Sequence, residues 1–208
     1  MDTAKMVASL LLQIKAIKLS PANPFTWASG WKSPIYCDNR KILSFPAVRR
    51  TIRDEFVIRI REQYPDAELI AGVATGAIAH GMLVADALDL PFVYVRPEPK
   101  AHGLGNQIEG AYHPGWKTVI IEDLISTGGS SLGAYQALRT AGLDILGMLA
   151  IFTYGFDKAT ENFENSGCRV ETLSNYSSLI ELALQTGEIS QDQMKLLEKW
   201  RQDPAHFG

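Results

Sequence analysis

Two cysteines, no excess of either charge and no long apolar run exclude several classes for this 208-residue chain at once. Cys37 and Cys168 have no metal-ligand spacing and make no disulfide framework, so a reduced, cytoplasmic protein is expected. A formal net charge of -3 leaves no electrostatic footprint for nucleic acid. No apolar stretch approaches the roughly 20 residues of a membrane span. The N-terminal MDTAKMVASLLLQIKAIKLS has a short apolar run followed by lysines, without a small-residue cleavage site, and is not read as a signal peptide. Internal repeats, low-complexity segments and linkers are also missing. There is no GxxxxGK[ST], and no GxGxxG follows a strand, so neither a nucleoside triphosphate nor a dinucleotide site is supported.

What is present is ordinary globular composition, 46% hydrophobic and 21% charged, at a length that suits one sizeable domain spanning residues 1–208. Met6, Leu10, Ile14 and Ile17 recur at helical spacing and predict an opening helix that ends before Pro21. FTWASGWKSPIYCD, aromatic and broken by Gly and Pro, reads as two short strands around a turn. Ser44 is expected to cap a helix with Pro46 in its first turn and Val48, Ile52, Phe56 and Ile60 on its buried face. A helix over about 77–89 is apolar almost all round. ELIAGVA (68–74), FVYVR (92–96), TVIIE (118–122), DILGMLAIFTY (144–154) and RVETL (169–173) are continuous β-branched runs, the pattern of strands covered on both faces. Their alternation with helices predicts an α/β fold with a mainly parallel central sheet flanked by helices. The last 30 or so residues read as polar helix anchored by Leu182, Leu184 and Leu196.

One connection breaks the alternation. Residues 97–115 show no periodicity, carry Gly103, Gly105, Gly110 and Gly115, and include Lys100 and His102. Structureless connections longer than about 12–15 residues are commonly lids or binding loops, and this one is read as a mobile lid.

The stretch VIIEDLISTGGSS (119–131) carries the chemistry. An apolar strand ends in Glu122 and Asp123, then in a hydroxyl- and glycine-rich turn that opens a helix. Free N–H groups at a helix N-terminus bind phosphate, glycine allows close approach, and the hydroxyls of Thr127, Ser130 and Ser131 add donors. The two acids cannot touch that phosphate. They suit sugar hydroxyls, or Mg²⁺ held through water. A sugar phosphate satisfies both halves. The competing reading is a strand–helix junction with surface acids and a hydroxyl cap. A second turn, GVATGA (72–77), also joins strand to helix, and close packing competes there with anion binding. Ser126 has no evident His/Asp partner and is not read as a nucleophile. His80, His113 and His206 are read as structural or surface residues.

These residues resemble a known family. VIIEDLISTGGSS resembles the phosphoribosyl pyrophosphate (PRPP) motif of type I phosphoribosyltransferases. FTWASGWKSPIYCDNR resembles the N-terminal F-x-x-x-S-G-x-K-S-P signature of the orotate phosphoribosyltransferases, and VRPEPKAHGLGNQIEG resembles their lid. The resemblance runs in the family's order from Phe25 to about Tyr154. It implies a type I phosphoribosyltransferase fold with a small N-terminal hood (about 1–43), and transfer of phosphoribosyl from PRPP to orotate with Mg²⁺. It further implies a homodimer whose lids cover the partner's site. Residue by residue, it puts Glu122 and Asp123 on the ribose hydroxyls. Leu124, Ile125, Ser126, Thr127, Gly128, Gly129 and Ser130 would hold the 5′-phosphate, with Ser126 also against orotate. Arg96, Lys100 and His102 would lie on pyrophosphate, and Lys100, His102 and Asp123 form the catalytic set. Departures are Ala28, Ala74-Thr75 and Pro97 where the family often has cations or Tyr-Lys, and an orotate-holding arginine missing from IFTYGFDK. Alternatives are a transferase for another base and a PRPP-sensing regulator, the latter opposed by the cationic lid and the acidic balance.

Overall fold

The computed structural model describes residues 2–27, 30–98 and 107–207. The chain opens with helix α1 (Thr3–Gln13), whose Val7, Ala8 and Leu11 are buried. The helix stops sooner than its apolar spacing suggests. Ile17 belongs instead to strand β1 (Ile17–Leu19), where its burial serves a strand. β2 (Phe25–Thr26) and β3 (Lys32–Ser33) form the expected antiparallel pair, and β4 (Ile35–Cys37) turns back to pair with β1. A 3-10 turn (Asn39–Ser44) leads into α2 (Pro46–Gln63). Pro46 is at the first helical position, but Phe45 takes the N-cap; Ser44 ends the preceding turn and caps nothing. The buried face of α2 is the expected Val48, Ile52, Phe56 and Ile60, with Val57 added.

The remaining elements build one six-stranded sheet. In chain order they are β5 (Leu69–Val73), α3 (Ile78–Leu88), β6 (Phe92–Val95), β7 (Ile108–Glu109), β8 (Lys117–Ile125), α4 (Gly129–Thr140), β9 (Asp144–Thr153), α5 (Asp157–Ser166), β10 (Val170–Asn175), α6 (Tyr176–Gln185) and α7 (Gln191–Gln202). The spatial order is β10-β9-β8-β5-β6-β7, and every pairing is parallel except β6 with β7. All five residues of β5 are buried, as expected for a strand covered on both faces. β7 was not anticipated. It turns the second half of the 97–115 connection into an antiparallel edge strand, tied to β6 through Tyr94↔Glu109 and Val95↔Ile108. At the C-terminus the anchors are Leu182, Leu197 and Trp200, with Leu196 only partly buried. The last helix is thus turned by about one residue from the expected phase. Among the described residues no helix is long and apolar enough to cross a membrane.

The chain runs β5 to β6 towards one edge and β8 through β9 to β10 towards the other. The direction of winding therefore reverses between β5 and β8. A crevice opens at such a reversal, outside the carboxyl ends of the strands. Both loops singled out in the sequence, 72–77 and 122–131, leave from that point.

Candidate active site

The turn after β8 is held ready for an anion. Gly128 has φ +83, a conformation that suits glycine, and a Cβ there would stand 3.0 Å from the Phe163 ring. Asn162 Nδ2 donates to the Thr127 carbonyl at 3.1 Å and pins the turn from outside. No side chain caps α4, so the N–H groups of its first turn point outward with the helix dipole behind them. Leu124, Ser126 and Thr127 are half-buried, Ile125 is buried, and Gly129 and Ser130 are exposed. Ser131 is not the extra phosphate donor expected from sequence. It is fully buried, and its hydroxyl donates to Glu122 Oε2 at 2.7 Å.

The two acids part company. Consecutive residues of a strand point to opposite faces, and here Glu122 turns inward while Asp123 faces the crevice. Glu122 is only 3% exposed; besides Ser131 it accepts a bond from the Asp123 backbone N–H at 2.9 Å. Burial first, then the neighbouring Asp123 charge, pushes its carboxyl up to about 8. The expectation that both acids face ribose hydroxyls thus meets a geometry in which Glu122 is closed off. Asp123 is half-buried with its carboxylate directly over Gly76, where any Cβ would collide with it. Gly76 therefore brings the 72–77 turn onto the acid. Gly72 serves the packing role instead: with Gly81 it makes room for the Phe92 ring. The Ala74–Thr75 peptide in this turn is cis.

Two residues lie beneath Asp123: Asn39, which the sequence did not single out, and His80, read there as structural or surface. Asn39, 1% exposed, donates from Nδ2 to the Asp123 carbonyl at 2.6 Å and ties the N-terminal segment to the end of β8. His80 on α3 is buried with Nε2 unpartnered. Desolvation lowers its pKa against the opposing pull of Asp123, so it is kept neutral. Neither has a sequence signature, because their role depends on where three separate segments meet.

Beside the phosphate turn lie two cavities. A small one of about 110 Å³ is bounded by Val73, Ala74, Arg96, Pro97, Gly129 and Ser130, which brings Arg96 to the same crevice as the helix N-terminus. Arg96 also lies 3.6 Å from Glu109 across the β6–β7 pair. A larger one, about 420 Å³, is lined by Thr26, Trp27, Tyr36, Cys37, Leu124, Ser126 and Tyr154. Its walls are aromatic, with Trp27 and Tyr154 centroids 5.2 Å apart. The density of aromatics in FTWASGWKSPIYCD was the available signal for this wall. Tyr154 had none, since it sits one residue beyond an ordinary buried strand. A further cavity of about 580 Å³, between α5 and the β10 edge, holds none of the charged site candidates.

Lys100 and His102 lie outside the described residues, as does Ala28. The chain leaves towards that segment from Arg96–Glu98, beside the crevice, and Gln107 returns bound to Arg96 through Arg96 N–H to the Gln107 carbonyl at 2.9 Å. Cys168 is buried packing, and Cys37 reaches the aromatic cavity, its thiol 3.4 Å from Asn39 Oδ1. His113 packs edge-on to Trp116, and His206 is exposed beside Asp203, both away from the crevice. Among the described residues no group of three or more His, Cys, Asp or Glu is arranged to hold a metal ion by itself.

No family model matches the chain. Individual proteins do. It is 57% identical over 204 residues to a protein of Porphyromonas gingivalis named orotate phosphoribosyltransferase, covering 98% of this chain and 97% of that one. A Streptococcus gordonii protein of the same name is 53% identical over 207 residues, covering 100% and 99%. Among solved structures, the orotate phosphoribosyltransferase of Aeropyrum pernix superposes with a TM-score of 0.76 at 26% identity, over 89% of this chain and all of that one.

Proposed function

The chain belongs to the orotate phosphoribosyltransferase family, and we infer from this that it transfers the 5-phosphoribosyl group of PRPP to orotate. The products are orotidine 5′-monophosphate and pyrophosphate, a step of pyrimidine synthesis, carried out in the cytoplasm. The observation that carries the reading is a phosphate-ready helix N-terminus set beside an aromatic cavity, with Ser126 common to both and one carboxylate, Asp123, at the crevice. A phosphoribosyl group bound at the turn would present its C1 towards a flat base stacked on Trp27 or Tyr154.

In the reaction the bond from ribose C1 to the pyrophosphate oxygen breaks with its electron pair leaving on oxygen, and a bond forms from C1 to orotate N1. Positive charge builds on the ribose and negative charge on the leaving group. Asp123 accepts bonds from the ribose hydroxyls and lies near the developing positive charge. The turn from Leu124 to Ser130 holds the 5′-phosphate. Arg96, with Lys100 and His102 from the lid, meets the negative charge as it appears, which is where a fixed cation lowers the barrier. Lid closure over about 97–115 excludes water that would hydrolyse PRPP.

Mg²⁺ fits this donor set as a substrate-borne ion. It commonly takes one or two carboxylates and completes its shell with phosphate oxygens and water; Asp123 is the carboxylate available, and Glu122 is withheld. When bound, the ion neutralises charge on pyrophosphate. The whole chain acts as one catalytic domain with an N-terminal hood, and in a homodimer each lid serves the neighbouring site.

The test is direct. Protein, PRPP and Mg²⁺ are incubated with orotate, uracil, adenine, guanine and xanthine in turn, and base consumption is followed. Orotate should be consumed far faster than the rest; preference for a purine would overturn the reading.

A further inference from the structure

Of the hydroxyl-bearing residues that line the aromatic cavity, Tyr154 is the most deeply buried. Tyr154 is 2% exposed and lines the cavity, yet its hydroxyl makes no hydrogen bond to any described residue. A buried tyrosine hydroxyl ordinarily finds a partner. Its ring is held by Trp27, Phe152, Phe156, Tyr176 and Trp200, with centroids 5.2 to 6.5 Å away. The ring packing therefore holds the hydroxyl in a fixed place, open to the cavity. Tyr154 N–H also donates to the Ile125 carbonyl at 3.1 Å, which sets Tyr154 beside Ser126 at the ends of adjacent strands.

Two other polar groups of the cavity have partners of their own. Cys37 Sγ is turned to Asn39, and Thr26 Oγ1 accepts from Lys32 Nζ at 2.8 Å. Among the described residues that line the cavity none is cationic, although Lys32 Nζ stands against Thr26 at its wall. A planar acceptor carrying a carboxylate therefore meets neutral donors on these walls, Tyr154 and Ser126 among them.

We propose that Tyr154 is an acceptor-specificity residue: its hydroxyl donates a hydrogen bond to the carboxylate of orotate, beside Ser126. Burial, the largest cause, with the neighbouring Cys37 thiol and Tyr176, holds the phenol well above its usual range, so it remains a donor at any working pH. A neutral donor in a fixed position costs little reorganisation when the ligand arrives, because the surrounding rings have already ordered it. It also leaves uracil, which lacks the carboxylate, with an unanswered hydroxyl in a desolvated pocket, a penalty that discriminates more strongly than a missing apolar contact.

The proposal rests on orotate being the acceptor, and the experiment separates the two claims. The wild-type enzyme is first assayed with orotate; failure to consume it sinks the functional reading. Tyr154→Phe then removes one oxygen and keeps the ring packing. It should raise KM for orotate by roughly one to two decades, the range for a hydrogen bond to a charged group, with KM for PRPP and the melting temperature little changed. The full-length enzyme is also titrated with orotate and with its carboxamide. Wild type should prefer the carboxylate clearly, and the variant should lose most of that preference. Should the variant melt early, Tyr154→3,5-difluorotyrosine keeps the packing and makes the phenol more acidic. Orotate affinity should then fall with rising pH as the phenol ionises, while PRPP affinity does not. An unchanged orotate KM, a carboxylate preference that persists in Tyr154→Phe, or parallel losses for orotate and PRPP would each overturn the proposal.

Discussion

Glu122→Gln tests the division of the acid pair. Glu122 is 3% exposed and enclosed by Ser131 and its own strand, and burial with the Asp123 charge pushes its carboxyl up to about 8 from 4.5. The sign follows from proton binding. Between those values the folded protein keeps a proton that the unfolded chain has released, so stability declines as pH rises through the window. The contribution is fully present below about pH 4.5 and gone above about pH 8. Each unit of displacement is worth about 1.4 kcal/mol, which makes the decline on the order of a few kcal/mol. For a chain of this size 1 kcal/mol is roughly 2–4 °C. Glutamine cannot ionise and carries none of this dependence. It still offers a carbonyl to Ser131 but loses one acceptor, an offset of about 1 kcal/mol at every pH.

The assay is calorimetric melting of both proteins from pH 4.5 to 9 at fixed ionic strength, without substrate. Relative to wild type, Glu122→Gln should gain several degrees as pH rises, and the gain should level off above about pH 8. A difference that does not change with pH would refute the buried-acid argument. A difference of the opposite slope would show instead that Glu122 is ionised and paired in the folded protein.

Asp123→Asn should reduce kcat/KM for PRPP by about one to two decades, the value of a charge-assisted hydrogen bond, with the melting temperature nearly unchanged; normal kinetics with collapsed stability would refute its place at the crevice. Gly76→Ala forces a methyl onto the Asp123 carboxylate, and displacing it should cost activity at least as much as Asp123→Asn, together with roughly 1–3 kcal/mol of stability, read by urea unfolding. Trp200→Ala removes a fully buried ring in edge contact with Trp27 and Tyr154; it should cost about 3–5 kcal/mol and raise KM for orotate more than KM for PRPP. Asp123→Asn and Lys100→Ala homodimers, each nearly inactive, should regain activity when mixed and allowed to exchange subunits, because one heterodimer site then has both residues; persistent inactivity after exchange confirmed by mass spectrometry would refute a lid shared across subunits.

The strands were readable because burial on both faces leaves only apolar residues, as in β5 and in the apolar stretch of β8. The errors have equally local causes. Ile17 fell by coincidence at helical spacing from Ile14, and nothing in the sequence marks the switch to β1. β7 is two residues long, too short to display any period, and exists because β6 offers it an edge. Leu196 was chosen over Leu197 and Trp200 because a leucine pair fits either phase of a helix, and only the aromatic cluster around Trp200 decides between them. Asn39 and His80 became visible only when the hood, α3 and β8 met.

The adjacent acids were the most legible feature of the site. Glu122-Asp123 invites the thought that two carboxylates serve one ligand. A strand sends neighbouring side chains to opposite faces. Asp123 meets Gly76 at the crevice, while Glu122 meets Ser131 on the first turn of α4. The inward acid then has its own use. By accepting the Ser131 hydroxyl and the Asp123 N–H, it couples the end of β8 to the start of α4, the two pieces between which the phosphate turn is strung. One carboxylate faces the crevice, and the other fixes the geometry of the loop that follows β8. Of the two adjacent acids only Asp123 is presented to the crevice, while burial pushes the carboxyl of Glu122 up to about 8.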